Sequence, residues 1–193
     1  TGTIVQITVN KATPVLTWPA PGAITYGAPL SATQLNASAN VGGTFVYSPA
    51  SGTVLNAGVN QILSVNFTPT DALNYNSVDG FTTQITVNKA TPIVTWSNPA
   101  AITYGTPLSV TQLNATASVP GTFVYAPGLG TILNAGANQT LSVNFTPTNA
   151  VNYNSVNGTT VQITVDKATP TVTWNTPANL TYGTALGATQ LIA

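Results

Sequence analysis

The sequence has no cysteine, histidine or methionine, and its 193 residues include only three Lys or Arg and three Asp or Glu. Each absence closes a class of chemistry. Without cysteine there is no disulfide framework and no thiolate metal site. Without histidine the commonest general base and metal ligand near neutral pH is missing. Charged residues make up 3% of the chain, against about 25% in a typical soluble domain. Nucleic acid and anionic membrane surfaces are recognised by clustered Lys and Arg, so neither is an expected partner. No run of about 18 apolar residues occurs, and no basic, apolar, small-residue leader is present. Membrane insertion of this segment is not expected, and any export or anchoring signal is expected outside it.

What is present is apolar side chain, 43% of the chain, set among neutral Thr, Asn, Gln, Ser, Gly and Pro. Such a chain folds, because disorder requires the reverse combination of low hydrophobicity and high net charge. It is also a repeat. Lys11-Ala12-Thr13-Pro14 recurs as Lys89-Ala90-Thr91-Pro92 and as Lys167-Ala168-Thr169-Pro170, and Ile24-Thr25-Tyr26-Gly27 recurs as Ile102-Thr103-Tyr104-Gly105 in the same phase. Residues 11–88 and 89–166 align without a gap, with 22 mismatches in 78 positions and therefore 56 identities. Segment 1–10 matches the last strand of a preceding repeat, and 167–193 matches the first third of a further one. Together the partial ends lack the middle of a repeat, so strand exchange alone does not complete one. The expected organisation is a window of a longer tandem array.

Within a repeat the pattern is short strands between turn residues. Val5, Ile7 and Val9 alternate with Gln6 and Thr8, and Leu63, Val65 and Phe67 alternate with Ser64 and Asn66. A period of two sends one set to a core and the other to water. Pro69 and Pro147 are expected to end a strand, since proline cannot donate to a ladder. Asp79-Gly80 and Asn157-Gly158 read as hairpin turns before the last strand. Tyr75 and Tyr153 occupy the corner before it, where a tyrosine can return its hydroxyl to upstream backbone. The Lys-Ala-Thr-Pro junction has no flexible Gly/Ser linker, which predicts close coupling of consecutive repeats.

The set Lys-Ala-Thr-Pro, Thr-Trp, Ile-Thr-Tyr-Gly, Thr33-Gln34-Leu35-Asn36-Ala37, Gly43-Thr44-Phe45-Val46-Tyr47, Phe67-Thr68-Pro69-Thr70 and Asn74-Tyr75 resembles the bacterial Ig-like repeats, including the MBG type, of large secreted and surface proteins. The resemblance covers the whole chain, with one departure at Ile192, where the pattern has Asn36 and Asn114. It implies an all-β fold of tandem immunoglobulin-like β-sandwich domains in a rod-like array, with a secreted or cell-surface location and a structural, non-enzymatic role. It carries no shared catalytic site.

The residues agree on the last point. Asp71, Asp79 and Asp166 are the only acids, and Asn149, Asn157 and Asn88 stand at their counterparts. No carboxylate is kept between repeats, so neither a carboxylate pair nor a Ser-His-Asp triad assembles. Ca²⁺ takes six to eight oxygens, usually several of them carboxylates, and scattered single acids read instead as solvated turn residues. No catalytic, cofactor or metal residue is expected. Lys11, Lys89 and Lys167 raise the idea of a Lys-Asn isopeptide bond, but without a repeated acid they read as solvated junction lysines. Trp18, Trp96 and Trp174 share one repeat position; they read as packing aromatics first and as glycan-stacking platforms second. Asn-x-Ser/Thr sequons at Asn36, Asn66, Asn114, Asn138, Asn144, Asn157 and Asn179 follow from a composition rich in Asn and Thr. The expected partners are neighbouring repeats of the same chain, with identical chains in a filament joined through edge strands, or glycans, as alternatives.

Overall fold

The computed structural model describes residues 2–191; the departure noted at Ile192 lies outside them. Among the described residues the fold is all-β, with no helix. Each complete repeat contributes six strands, and every strand of the first recurs 78 positions later in the second. Strands β1 (Leu16–Thr17), β2 (Ile24–Thr25), β3 (Ser38–Ala39), β4 (Gly43–Ser48), β5 (Gly58–Pro69) and β6 (Val78–Asn88) are followed by β7 (Val94–Thr95), β8 (Ile102–Thr103), β9 (Thr116–Ala117), β10 (Gly121–Ala126), β11 (Gly136–Pro147) and β12 (Val156–Asp166). In the first repeat β2-β6-β5-β4 form a four-stranded sheet and β1-β3 a two-stranded one. The second repeat has the same two sheets, β8-β12-β11-β10 and β7-β9.

The alternation in the sequence is the alternation of burial. Leu63, Val65 and Phe67 on β5 are 0–1% exposed, with Ser64 and Asn66 turned away. They meet Leu16 and Trp18 from the β1 side and Leu30 and Leu35 from the connections in one apolar cluster. Phe45 on β4 pairs with Phe67 across the ladder, ring centroids 4.8 Å apart and tilted by 44°. The second repeat buries Leu141, Val143 and Phe145 at the same positions. Each large side chain removed from water contributes about 1.5–3 kcal/mol, which is how a unit of this size is held without disulfides. Pro69 and Pro147 end β5 and β11, as a residue without an N–H must.

The Asp-Gly and Asn-Gly pairs are not hairpin turns. Val65 pairs with Phe81 and Phe67 with Val78, so one step of two residues on β5 opposes three on β6, and Asp79-Gly80 is a bulge inside the strand. Gly80 has φ of 68° and Gly158 of 73°. Glycine at positive φ serves a bulge as well as a primed turn, so the dipeptide alone does not choose between them. Here Asn66 decides: its Oδ1 accepts the Gly80 N–H at 2.8 Å, and Asn144 does the same for Gly158.

Residues 2–10, whose sequence matches the ends of β6 and β12, take no strand and are exposed. In 167–191 the local contacts of a repeat start form without its strands. Trp174 Nε1 donates to Gln190 O at 3.4 Å, as Trp18 does to Gln34 O at 3.0 Å.

The chain divides into two compact units that do not follow the repeat boundary. One comprises residues 1–96, 115–124 and 143–159, the other 97–114, 125–142 and 160–193.

Candidate functional site

The first tryptophan is packed rather than presented. Trp18 is 7% exposed and lies edge-on to Tyr47 with ring centroids 5.3 Å apart. Burial pushes the Tyr47 hydroxyl above its ordinary value, while a hydrogen bond to the Ala37 backbone pulls the other way. Trp96 is half-buried. Trp174 is 60% exposed, since none of the six strands of a repeat forms in 167–191 to cover it.

The corner before the last strand is held by the chain that enters the repeat. Ala12 N–H donates to Asn74 O and Asn76 N–H to Ala12 O, both at 2.9 Å, making a parallel bridge between Ala12 and Tyr75. Lys11 Nζ donates to Ala72 O at 2.7 Å. The second repeat copies this: Ala90 bridges Tyr153, and Lys89 Nζ donates to Ala150 O at 2.6 Å. The repeated lysine therefore finishes the corner by capping a backbone carbonyl. The backbones of Tyr75 and Tyr153 carry this bridge.

Asp71 starts the first corner. Its carboxylate accepts the Asn74 N–H at 3.1 Å and Asn74 Nδ2 at 2.8 Å. The side-chain amide of Asn74 is the main cause that holds Asp71 below the ordinary carboxylate range, with its backbone N–H and the charge of Lys11 adding to it. A carboxylate whose folded value is depressed stabilises fully above the unfolded value, near about 3.9, and loses that stabilisation as pH falls through the folded value. Asn149 starts the second corner without charge, its Oδ1 accepting the Asn152 N–H at 3.2 Å. Acid sensitivity from this turn should thus be confined to the first repeat. Asp71→Asn is expected to flatten the fall of its melting temperature below about pH 4; an unchanged acid limb in thermal melts would contradict this.

The two corners also differ in the burial of their asparagine, and this identifies the candidate site. Asn152 is 4% exposed, whereas its counterpart Asn74 is exposed. Asn152 Oδ1 accepts the Ala57 N–H at 2.7 Å, and its Nδ2 donates to Asn56 Oδ1 at 3.0 Å. Beside it the Tyr153 ring meets Tyr26 edge-on, centroids 5.3 Å apart and planes at 82°. Tyr26 is placed by its own N–H, which donates to Asn88 O at the end of β6. Asn56 is held by Gln61, whose Nε2 donates to Asn56 O, and Asn60 at φ of 54° makes the local bulge that brings Gln61 back. All of these residues belong to the first compact unit. Next to the tyrosine pair is a groove of about 620 Å³ lined by Tyr26, Val119, Pro120, Thr148, Asn149 and Tyr153.

Both asparagines stand in an Asn-Tyr-Asn-Ser context, and the local differences lie upstream, Asp71 and Leu73 against Asn149 and Val151. The neighbour brought against Asn152 is not written in that context. No family model matches the chain, and no curated protein matches it either.

Proposed function

We propose that this chain is a structural, non-enzymatic segment of a long extracellular bacterial repeat protein, a stalk, spacer or filament shaft of tandem Ig-like β-sandwiches. The observation that carries this reading is the parallel pairing of the segments by which the chain enters and leaves each repeat. Ile24 and Thr25 pair in parallel with Val87 and Asn88, and Ile102 and Thr103 with Val165 and Asp166. The bridge from Ala12 to Tyr75 is parallel and in the same offset of 63 positions as Ile24 to Val87. In a parallel pair the N-terminal end of one strand and the C-terminal end of the other lie at opposite ends of the pairing. Tension along the chain then slides the strands past each other, and the hydrogen bonds must yield together instead of one at a time. A repeated sandwich that meets tension in shear suits a load-bearing spacer.

The neutral surface supports the same reading, because a field from any retained charge would be multiplied along an array and would respond to salt. Absence of cysteine and methionine leaves no sulfur to oxidise. Pulling the chain by its ends should give two unfolding events of equal step, each somewhat under the about 280 Å that 78 extended residues span. Unequal steps, or extension with no discrete event, would count against the proposal.

A further inference from the structure

We infer that the Asn-Tyr corner is a plug and that Tyr104, Asn134 and Ala135 form a socket for the corner of a further repeat of this type, joined in tandem. The inference rests on the tandem-array reading above and adds to it the site through which one repeat engages the next. Its basis is a socket seen filled once and open once. In the first repeat Tyr26, Asn56 and Ala57 receive Asn152 and Tyr153, with both polar atoms of the Asn152 amide paired and its side chain buried. The counterparts of that socket, 78 positions on, are Tyr104, Asn134 and Ala135. Tyr104 is 51% exposed, and Asn134 and Ala135 are exposed. With Lys167 and Ala168 they line a groove of about 320 Å³, all of it in the second compact unit.

The chemistry of the occupant follows from the filled case. The socket offers an amide N–H and an asparagine oxygen side by side, which a primary carboxamide satisfies by accepting from the first and donating to the second. An apolar side chain leaves both unmet, which costs more than the bonds gain. The tyrosine face then takes an aromatic edge. Lys167 and Ala168 on the rim are the counterparts of Lys89 and Ala90, which hold the Asn152-Tyr153 corner through Ala150 O and the Tyr153 bridge. The groove thus also presents the two residues that would grip an arriving corner by its backbone. Gln139 holds Asn134 O as Gln61 holds Asn56 O, so the socket is already shaped.

The test uses the chain and a three-repeat version of it, in which residues 1–166 are followed directly by a second copy of segment 89–166. The probe is amide hydrogen exchange at Ala135, the counterpart of Ala57. Ala135 should exchange about tenfold or more slowly in the three-repeat chain than in the 193-residue chain, as gaining a buried hydrogen bond implies. Asn152→Ala in the appended copy should return the fast rate while the core strands of that copy stay protected. Fast exchange at Ala135 beside a folded third repeat would overturn the socket. Pulling the same three-repeat chain examines the load-bearing reading separately: three equal steps with an unprotected Ala135 would reject the socket alone.

Discussion

Phe67→Ala is expected to lower the stability of the first repeat by about 3–5 kcal/mol. Phe67 is fully buried, sits on β5 between the two other long strands, and packs its ring on Phe45. Removing it strips contacts from both the ladder neighbour and the opposite layer, and a two-sheet core of this size has few other large rings to close the cavity. Domains are stable by only about 5–15 kcal/mol, and small ones lie at the low end because they bury less of their surface. The variant should therefore lose most of the stability of its first repeat while the second, whose Phe145 fills the same role against Phe123, unfolds near its original midpoint. Urea unfolding followed separately at β5 and β11 would show two transitions; a shift of less than about 1 kcal/mol at β5 would mean the core is not organised around this ring.

The second large effect is expected at a residue with no side chain. A Cβ at Gly43 would overlap the Phe67 ring and the Thr68 carbonyl, and one at Gly121 would overlap Phe145 and Thr146 in the same way. Neither obstacle can give, because Phe67 is fully packed and Thr68 is fixed by pairing to Thr44. Gly43→Ala should cost about 3 kcal/mol, at the upper end of what overpacking costs. Gly42, whose added Cβ meets nothing closer than Thr70 Oγ1 at 4.0 Å, is the control. Its counterpart is Pro120, so a side chain is already accommodated there, and Gly42→Ala should change stability by less than about 0.5 kcal/mol. The two large effects are coupled in part: truncating Phe67 removes the ring that a Cβ at Gly43 would strike but leaves the Thr68 carbonyl in place, so the double variant should lose less than the sum of the singles. Additive losses would mean that the Thr68 carbonyl alone carries the clash.

These residues also show where the sequence was sufficient. Alternation along β5 is enough to name its buried set, because a period of two leaves no other way to hide Leu63, Val65 and Phe67 together. The repeat predicted that every element would recur, and each strand does. The sequence was less informative where one signal serves two structures. Asp79-Gly80 requires only that a glycine take positive φ, and whether the chain then reverses or bulges depends on Asn66 across the ladder, 14 positions away. Segment 2–10 has a strand pattern and no strand, since pairing needs a partner and periodicity does not supply one. The corner asparagines were the least legible. Asn74 and Asn152 share the Asn-Tyr-Asn-Ser context, and Asp71 in place of Asn149 accounts for the carboxylate that Asn74 bonds. The burial of Asn152 against Asn56 and Ala57 is tertiary, and no local pattern contains it. The same holds for Tyr153, whose edge-on contact with Tyr26 joins residues more than 120 positions apart.

The central claim is that tension along the chain loads the entering and leaving segments of each repeat in shear. The absence of cysteine allows it to be tested by choice of attachment point, since introduced thiols are the only handles. One attachment pair pulls on the chain ends. The other uses Val59→Cys and Asn88→Cys, near the paired residues Gly58 and Val87 at one end of β5 and β6, so that the force opens that ladder from its edge. The account predicts equal unfolding steps on end-to-end pulling at a force clearly above that needed to open the β5–β6 ladder. Equal forces in the two geometries, or a lower force end to end, would contradict it.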